Sequence, residues 1–343
     1  MTINRVASWL ITIALILVMI VVGKAYLVPI FMALVIWYLV NALDQQFRKL
    51  PWIGRHLPGA VTLGMSLVFI GLTLYGVGDT IVATIQGFVV DSTKYAPKID
   101  AQIVRFYTMF RLENPPTLES IQLTDQLWAY STELLNGFTN FAKSLFLVLL
   151  YVLFFLIEQG AFGKKMTALG LDLQESNRLS LVLREINDAM RTYLGVKTFT
   201  SILTAILSWV VFYFIGVDFA LFWAFLIFLF NYVPSIGSIT ATLLPGLLAL
   251  VQFDTLTPFL VIIFGVSGIQ LLVGNILEPR LMGDTLNISP LVVVLSLILW
   301  SVLWGVVGML LSVPITVAII IICAQFPTTR AVAILLSKNG KIR

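Results

Sequence analysis

Charged side chains are scarce in this sequence, at 11% of 343 residues, and cysteine and histidine occur once each. A soluble domain carries about 25% charge, so this chain could not clothe a water-facing surface. The single Cys323 allows no internal disulfide, and one His with one Cys gives no zinc or thiol-based site. Common catalytic motifs are missing too: there is no Gly-x-Ser-x-Gly, no phosphate-cradling Gly-x-x-x-x-Gly-Lys and no His-Glu-x-x-His. The chain therefore reads as a non-enzyme with no cofactor and no metal. Without a Walker loop it cannot itself use ATP, and uphill movement of a solute would need an ion gradient. A net charge of +4 carries no nucleic-acid signal; in a membrane protein it reads as cytoplasmic loops that hold orientation.

What is present is hydrocarbon. Hydrophobic residues make up 59% of the chain, in runs too continuous for the alternating strands of a barrel. The fold class expected is all-α, a polytopic integral membrane protein. Six spans stand out: about Val6–Val22, Leu27–Leu43, Ala60–Val77, Phe141–Ile157, Phe199–Ile215 and Pro258–Ile276. Arg5 before the first run imitates a signal peptide, but no small-x-small cleavage site follows, so the segment reads as an anchor. Two further stretches lack charge entirely, Phe219–Phe253 over 35 residues and Ile288–Phe326 over 39. As straight helices each would exceed ~50 Å, against ~30 Å of bilayer hydrocarbon. Each must therefore turn back, the first at Pro234 to Ser238 and the second at Gly305 and Gly308. Re-entrant hairpins and paired short spans both satisfy that requirement, giving roughly eight or more membrane segments.

Basic residues suggest the orientation. Arg48, Lys49 and Arg55, then the Glu158–Thr198 loop with Lys164, Lys165, Arg191 and Lys197, then Arg330, Lys338, Lys341 and Arg343 all fall on one side. The positive-inside rule makes that side, with both termini, cytoplasmic. On the opposite side, 78–140 reads as an amphipathic helical insertion, broken at Pro115-Pro116. Leu173–Tyr193 reads as a cytoplasmic amphipathic helix with a solvated charged face. Five regions are expected: a three-span bundle (1–77), the insertion (78–140), span four with the cytoplasmic helix (141–198), a transport core with both hairpins (199–326) and a basic tail (327–343). The seven-residue recurrence of Gly64, Gly71 and Gly78 suggests close helix packing.

Two polar islands interrupt the greasy half. In "GNILEPRLMG", Pro279 should end the preceding span and bias Glu278 away from helical geometry. Glu278 and Arg280 would then pair near the cytoplasmic edge, with Asn275 on the face of Glu278. One reading is an interface ion pair that merely ends a helix. The other is a broken helix whose backbone, Asn275 and Glu278 line a polar cavity, as such helices do in transporters. In "NYVPSIGS", Pro234 and Gly237 leave backbone groups unpaired, which lipid-exposed chain cannot tolerate. That tip must be shielded or wet, with Asn231 and Ser238 at hand.

These motifs carry a resemblance. "NYVPSIGSITATLLPGLLAL" followed by "GNILEPRLMGDTLNISPLVVVLSLILWSVLWGVVGMLLSVPI" resembles the autoinducer-2 exporter family of TqsA/PerM-type multi-pass transporters, nearest the TqsA type. The resemblance implies a bacterial inner-membrane homo-oligomer exporting a small polar signalling molecule, autoinducer-2; sodium–proton exchange is attributed to some members. By motif it marks Asn231, Pro234 and Gly237, and then Asn275, Glu278, Pro279, Arg280 and Gly283. The mechanism expected is secondary transport. Asn231, Ser238 and Asn275 would hydrogen-bond the substrate, Glu278 would carry the coupling proton beside Arg280, and the glycines would act as hinges. A sodium–proton antiporter would instead recruit Asp218, Asp254, Glu278 or Asp284 as ion ligands. A passive pore is the third possibility.

Overall fold

The computed structural model describes residues 3–109, 111, 144–161, 165, 173–234, 236–283 and 286–340. Among them the regular secondary structure is helical, apart from one isolated antiparallel bridge between Ile288 and Ser337. The helices are α1 (Ile3–Val22), α2 (Lys24–Lys49), α3 (Pro51–His56), α4 (Gly59–Met109), α5 (Ser144–Ala161) and α6 (Leu173–Ile215). They continue with α7 (Ala220–Phe230), α8 (Ile236–Gln252), α9 (Thr257–Gln270), a π-helical turn at Leu271–Leu277, α10 (Glu278–Met282), α11 (Pro290–Gln325) and α12 (Arg330–Leu336). Six helices among the described residues are long and apolar enough to span a bilayer. The protein is a polytopic all-α membrane protein.

Both charge-free stretches double back. The first becomes α7 and α8, joined by a turn that bonds its own backbone: Val233 N–H donates to Phe230 O at 2.8 Å, and Ile236 N–H to Pro234 O at 2.6 Å. Local closure of this kind is what a water-poor setting demands. The second reverses inside α11 at Gly305, whose φ of 65° and ψ of −142° lie in a region open almost only to glycine. The returning arms pack so tightly that a Cβ on Gly237 would sit 1.8 Å from Phe230 O, and one on Gly308 would sit 1.9 Å from Trp300 O. Neither approach exists in a straight helix. The two hairpins thus use the same device, a glycine on the returning arm laid against the last carbonyls of the outgoing one.

The chain forms two compact units. Met1–Ser66, Ser144–Val196 and Leu281–Arg343 make one. In it Trp300, Trp304, Leu311 and Ile315 hold the arms of α11 together, and Trp304 Nε1 donates to Ile20 O at 3.2 Å. The amphipathic part of α6 buries Val182, Ala189, Met190, Tyr193 and Leu194 against Val313, Val317 and Ile321 of α11. At the junction of α2 and α4, buried Asp44 accepts from Arg48 Nε (2.8 Å) and Thr62 Oγ1 (2.5 Å).

Leu67–Lys143 and Lys197–Arg280 make the second unit. Its core joins Phe212 of α6, Ile227 of α7, Ala241, Leu248 and Ala249 of α8, and Ile262 and Val266 of α9. Small residues let α8 and α9 approach closely: a Cβ on Gly246 would meet Ile263 Cδ1 at 2.9 Å. Gln252 ties one end of this unit, accepting from Asp218 N–H (2.9 Å), donating to Gly216 O (2.8 Å) and offering its own backbone carbonyl to Lys98 Nζ (2.7 Å).

Two expectations need correction. The helix that carries the third span does not stop near Val77: α4 runs unbroken for 51 residues through Pro97. At 1.5 Å per residue that is ~75 Å, so its polar half extends well past the apolar portion, Gly59–Thr84. Nor do Gly64 and Gly71 pack closely against other described residues of the chain, since a Cβ on either would meet nothing within 4 Å. Pro115-Pro116 and the remainder of the 78–140 insertion beyond Arg111 lie outside the described residues.

Candidate functional site

Within the second unit, the membrane part of α6 carries a polar stripe that begins at a charge. Lys197, Thr200, Ser201, Thr204 and Ser208 recur at helical spacing, so they share one face, and all five are buried. Two of the four hydroxyls reach back to the helix itself: Thr200 Oγ1 lies 3.1 Å from Lys197 O, and Thr204 Oγ1 donates to Thr200 O at 2.8 Å. Such back-bonding is how Ser and Thr become tolerable in apolar surroundings. Their oxygen lone pairs remain as acceptors. Ser208 Oγ is fully enclosed and bonded to nothing among the described residues.

Glu278 meets this stripe. Its Oε1 accepts from Lys197 Nζ at 2.6 Å and its Oε2 lies 3.3 Å from Thr200 Oγ1, with only 14% of the Glu278 side chain and 9% of the Lys197 side chain exposed. The partner of Glu278 is therefore Lys197 rather than Arg280, which is exposed. Lys197 is also not a loop residue, as its position in the run of basic residues suggested. It lies inside α6, and its burial is tolerable because the two opposite charges are in direct contact and the pair is net neutral.

The backbone that delivers Glu278 also differs from expectation. Pro279 does not stop the helix: Glu278 is helical (φ −58°, ψ −50°), and α10 continues to Met282. The widened turn just before it supplies the reason. In the π-helix Leu271–Leu277, Glu278 N–H reaches back five residues to Val273 O. This opens the turn against which a proline ring would otherwise clash. Since Pro279 has no N–H, one carbonyl of that turn still loses its helical donor. The wider turn also changes the angular offset of Asn275 from Glu278: Asn275 is exposed while Glu278 is partly buried. Gly283, at φ +56°, ends α10 as a left-handed cap.

The tip of the first hairpin reaches the same stripe. Asn231 Nδ2 donates to Ser201 Oγ at 3.1 Å, and the Tyr232 and Thr198 hydroxyls lie 2.7 Å apart. Of the candidates read from sequence, Asn231 and Glu278 are brought to one helix face. Pro234 and Gly237 shape the tip that carries Asn231, and Ser238 begins the returning helix with its carbonyl held by Thr242 Oγ1 at 3.0 Å. Asn275 and Arg280 lie on the exposed side, while Gly305 and Gly308 belong to the other unit. Lys197, Thr200 and Ser201 were missed. Their signal was a lysine followed by hydroxyls at three, four, seven and eleven residues inside an apolar run. Taken together, a buried carboxylate–ammonium pair, an amide and a row of hydroxyls offer donors and acceptors to a solute that must shed water. Among the described residues no group of three His, Cys, Asp or Glu could hold a metal ion.

A family model described as AI-2E family transporter matches residues 10–328. The chain belongs to the AI-2E transporter family. It is 33% identical over 332 residues to the AI-2 transport protein TqsA of Escherichia coli K12, covering 92% of this chain and 90% of that one. A putative transport protein of Haemophilus influenzae is 30% identical over 326 residues, 91% of this chain and 88% of the relative. The putative transport protein YhhT of Escherichia coli K12 is 31% identical over 269 residues, 77% and 75% of the two chains. The hydroxyl stripe with its ion pair is a buried polar feature of this member's second unit.

Proposed function

We propose that this transporter exports a small, hydroxyl-rich signalling molecule of the autoinducer-2 type across the bacterial inner membrane, driven by the proton gradient. The observation that carries the reading is the buried Lys197–Glu278 pair set on a row of hydroxyls; the name of the Escherichia coli relative, AI-2 transport protein, supports the choice of solute. An ionisable pair inside a membrane protein is costly, and its usual reason is a solute or proton path. Protonation of Glu278 would release Lys197 and Thr200, freeing donors for substrate hydroxyls. The stripe is closed in this conformation, so substrate access requires the hairpin tip at Asn231 to part from Ser201. The glycine-built tip and the π-helical turn are the places where the backbone can give. Assembly as a homo-oligomer, with both termini cytoplasmic, belongs to the same proposal, and a partner subunit would cover the exposed amide of Asn275.

Inverted membrane vesicles test it. With an imposed proton gradient, wild type accumulates labelled autoinducer-2, an uncoupler abolishes the accumulation, and Glu278→Gln lowers the initial rate at least tenfold. Equal rates for wild type and Glu278→Gln would remove Glu278 from coupling. Flux indifferent to the uncoupler would make the protein a pore.

A further inference from the structure

The first unit holds a cavity, lined in part by side-chain amides, that the transport reading does not use. It has a volume of about 230 Å³ and lies where α2, α5 and α6 meet. Trp37, Asn41 and Gln45 line it from α2, spaced four residues apart and so on one helix face. Asn187 and Arg191 line it from α6, again one turn apart, and Gln159 closes it from the end of α5. This is a dense gathering of side-chain amides for a chain so poor in polar residues. Its lining contains no carboxylate.

Much of the hydrogen-bonding capacity in this lining is not taken up by other described residues. Trp37 Nε1 donates to Gln159 Oε1 at 3.1 Å, and Asn41 Nδ2 donates to Trp37 O at 2.8 Å. That leaves the Gln159 amide nitrogen, the Asn41 carbonyl and the complete amides of Gln45 and Asn187, which make no hydrogen bond among the described residues. An amide offers two donors and an acceptor in fixed relative positions, the complement of a hydroxyl that both gives and takes. The Trp37 ring provides an apolar face against which a sugar-like C–H surface can lie. The volume lies below the ~300–1,000 Å³ of drug-sized sites, a size that suits a small molecule.

The geometry points to a binding site for a small, uncharged, hydroxyl-rich molecule in this cavity, recognised by Asn41, Gln45, Gln159 and Asn187 and separate from the α6 stripe. Arg191 is exposed and contributes N–H donors at the rim. The inference does not rest on the transport reading. Loss of binding here leaves the effect of Glu278→Gln untouched, and loss of transport leaves this site intact.

The test uses the full chain in phosphatidylcholine nanodiscs, with D-ribose as probe and saturation-transfer difference NMR as readout. Wild type is expected to show saturable D-ribose binding. Asn187→Leu should weaken it at least tenfold and Trp37→Phe about fivefold, both variants keeping the wild-type melting temperature. Trp37→Phe should also lose the ribose-dependent change in tryptophan emission. If Asn187→Leu fails to fold, Gln45→Leu replaces it, with the same tenfold loss expected. No saturable binding to wild type, or full binding in the amide variants, overturns the proposal. So does ribose 5-phosphate binding tenfold more tightly than ribose in a manner abolished by Arg191→Ala, since the site would then be for anions. Loss of ribose binding when phosphatidylglycerol is added to the discs assigns the cavity to a lipid headgroup and equally overturns it.

Discussion

At the residue scale, Lys197 and Glu278 show why a membrane protein keeps so few charges and places them with care. Each is enclosed, and each is tolerable only because the other is within 2.6 Å. Removing one partner from a buried pair costs about 3–5 kcal/mol, whereas replacing both by apolar groups is often close to neutral. Lys197→Met alone should therefore lower the melting temperature in detergent markedly, and Lys197→Met with Glu278→Leu should restore most of it while remaining inactive in vesicle transport. A double variant as unstable as the single one would show that the pair contributes more than mutual neutralisation. Asp44 follows the same logic with an exposed arginine as its cation. Thr62→Val would leave its carboxylate one donor short and should cost about 1–3 kcal/mol, read from denaturant titration in micelles.

At the scale of elements, the hairpins and the π-helical turn are each made by a particular backbone property. Gly305 occupies a region nearly closed to other residues, so Gly305→Ala should cost about 1–3 kcal/mol. Gly237→Val and Gly308→Val should do worse, because their Cβ atoms would overlap a carbonyl oxygen; the expected outcome is loss of folded protein in size-exclusion chromatography. Pro279→Ala tests the π-helical turn. Restoring the N–H allows an ordinary α-helical register, which would rotate Glu278 relative to Lys197. Transport should drop with little loss of stability. A cross-link between cysteines placed at positions 197 and 278 should form when proline follows and weaken when alanine replaces that proline. Both hairpins were legible in the charge-free lengths, because a span limited to ~30 Å forces any longer stretch to reverse. The π-helical turn was not legible: proline in an apolar helix signals a break, and only the five-residue hydrogen bond from Glu278 shows how the break was avoided.

At the scale of the whole molecule, the exposed surface is that of a protein built for lipid, with Phe264, Leu272 and Val302 more than half exposed. The orientation proposed from the basic residues is testable in spheroplasts on a Cys323→Ser background. A membrane-impermeant maleimide should label Arg111→Cys directly and Lys338→Cys only after permeabilisation; the reverse pattern would invert the topology and the direction of transport. Which residues meet across each unit could not be foreseen from spacing alone. Lys197 looked like one of several loop cations, and Arg280 looked like the natural partner for a glutamate two residues away.

The sequence by itself determined that the chain lives in a membrane, that its two longest apolar stretches reverse, and that Glu278 and Asn231 sit where polarity is expensive. Those conclusions follow from transfer energetics and helix length, which depend on composition and order along the chain. Only the tertiary structure decided that Glu278 answers to Lys197, that hydroxyls on α6 form the rest of the stripe, and that amides from three helices surround a cavity. Those facts depend on the rotation of each helix about its own axis, and a single π-helical turn shifts that rotation without leaving a mark that can be read from residue spacing.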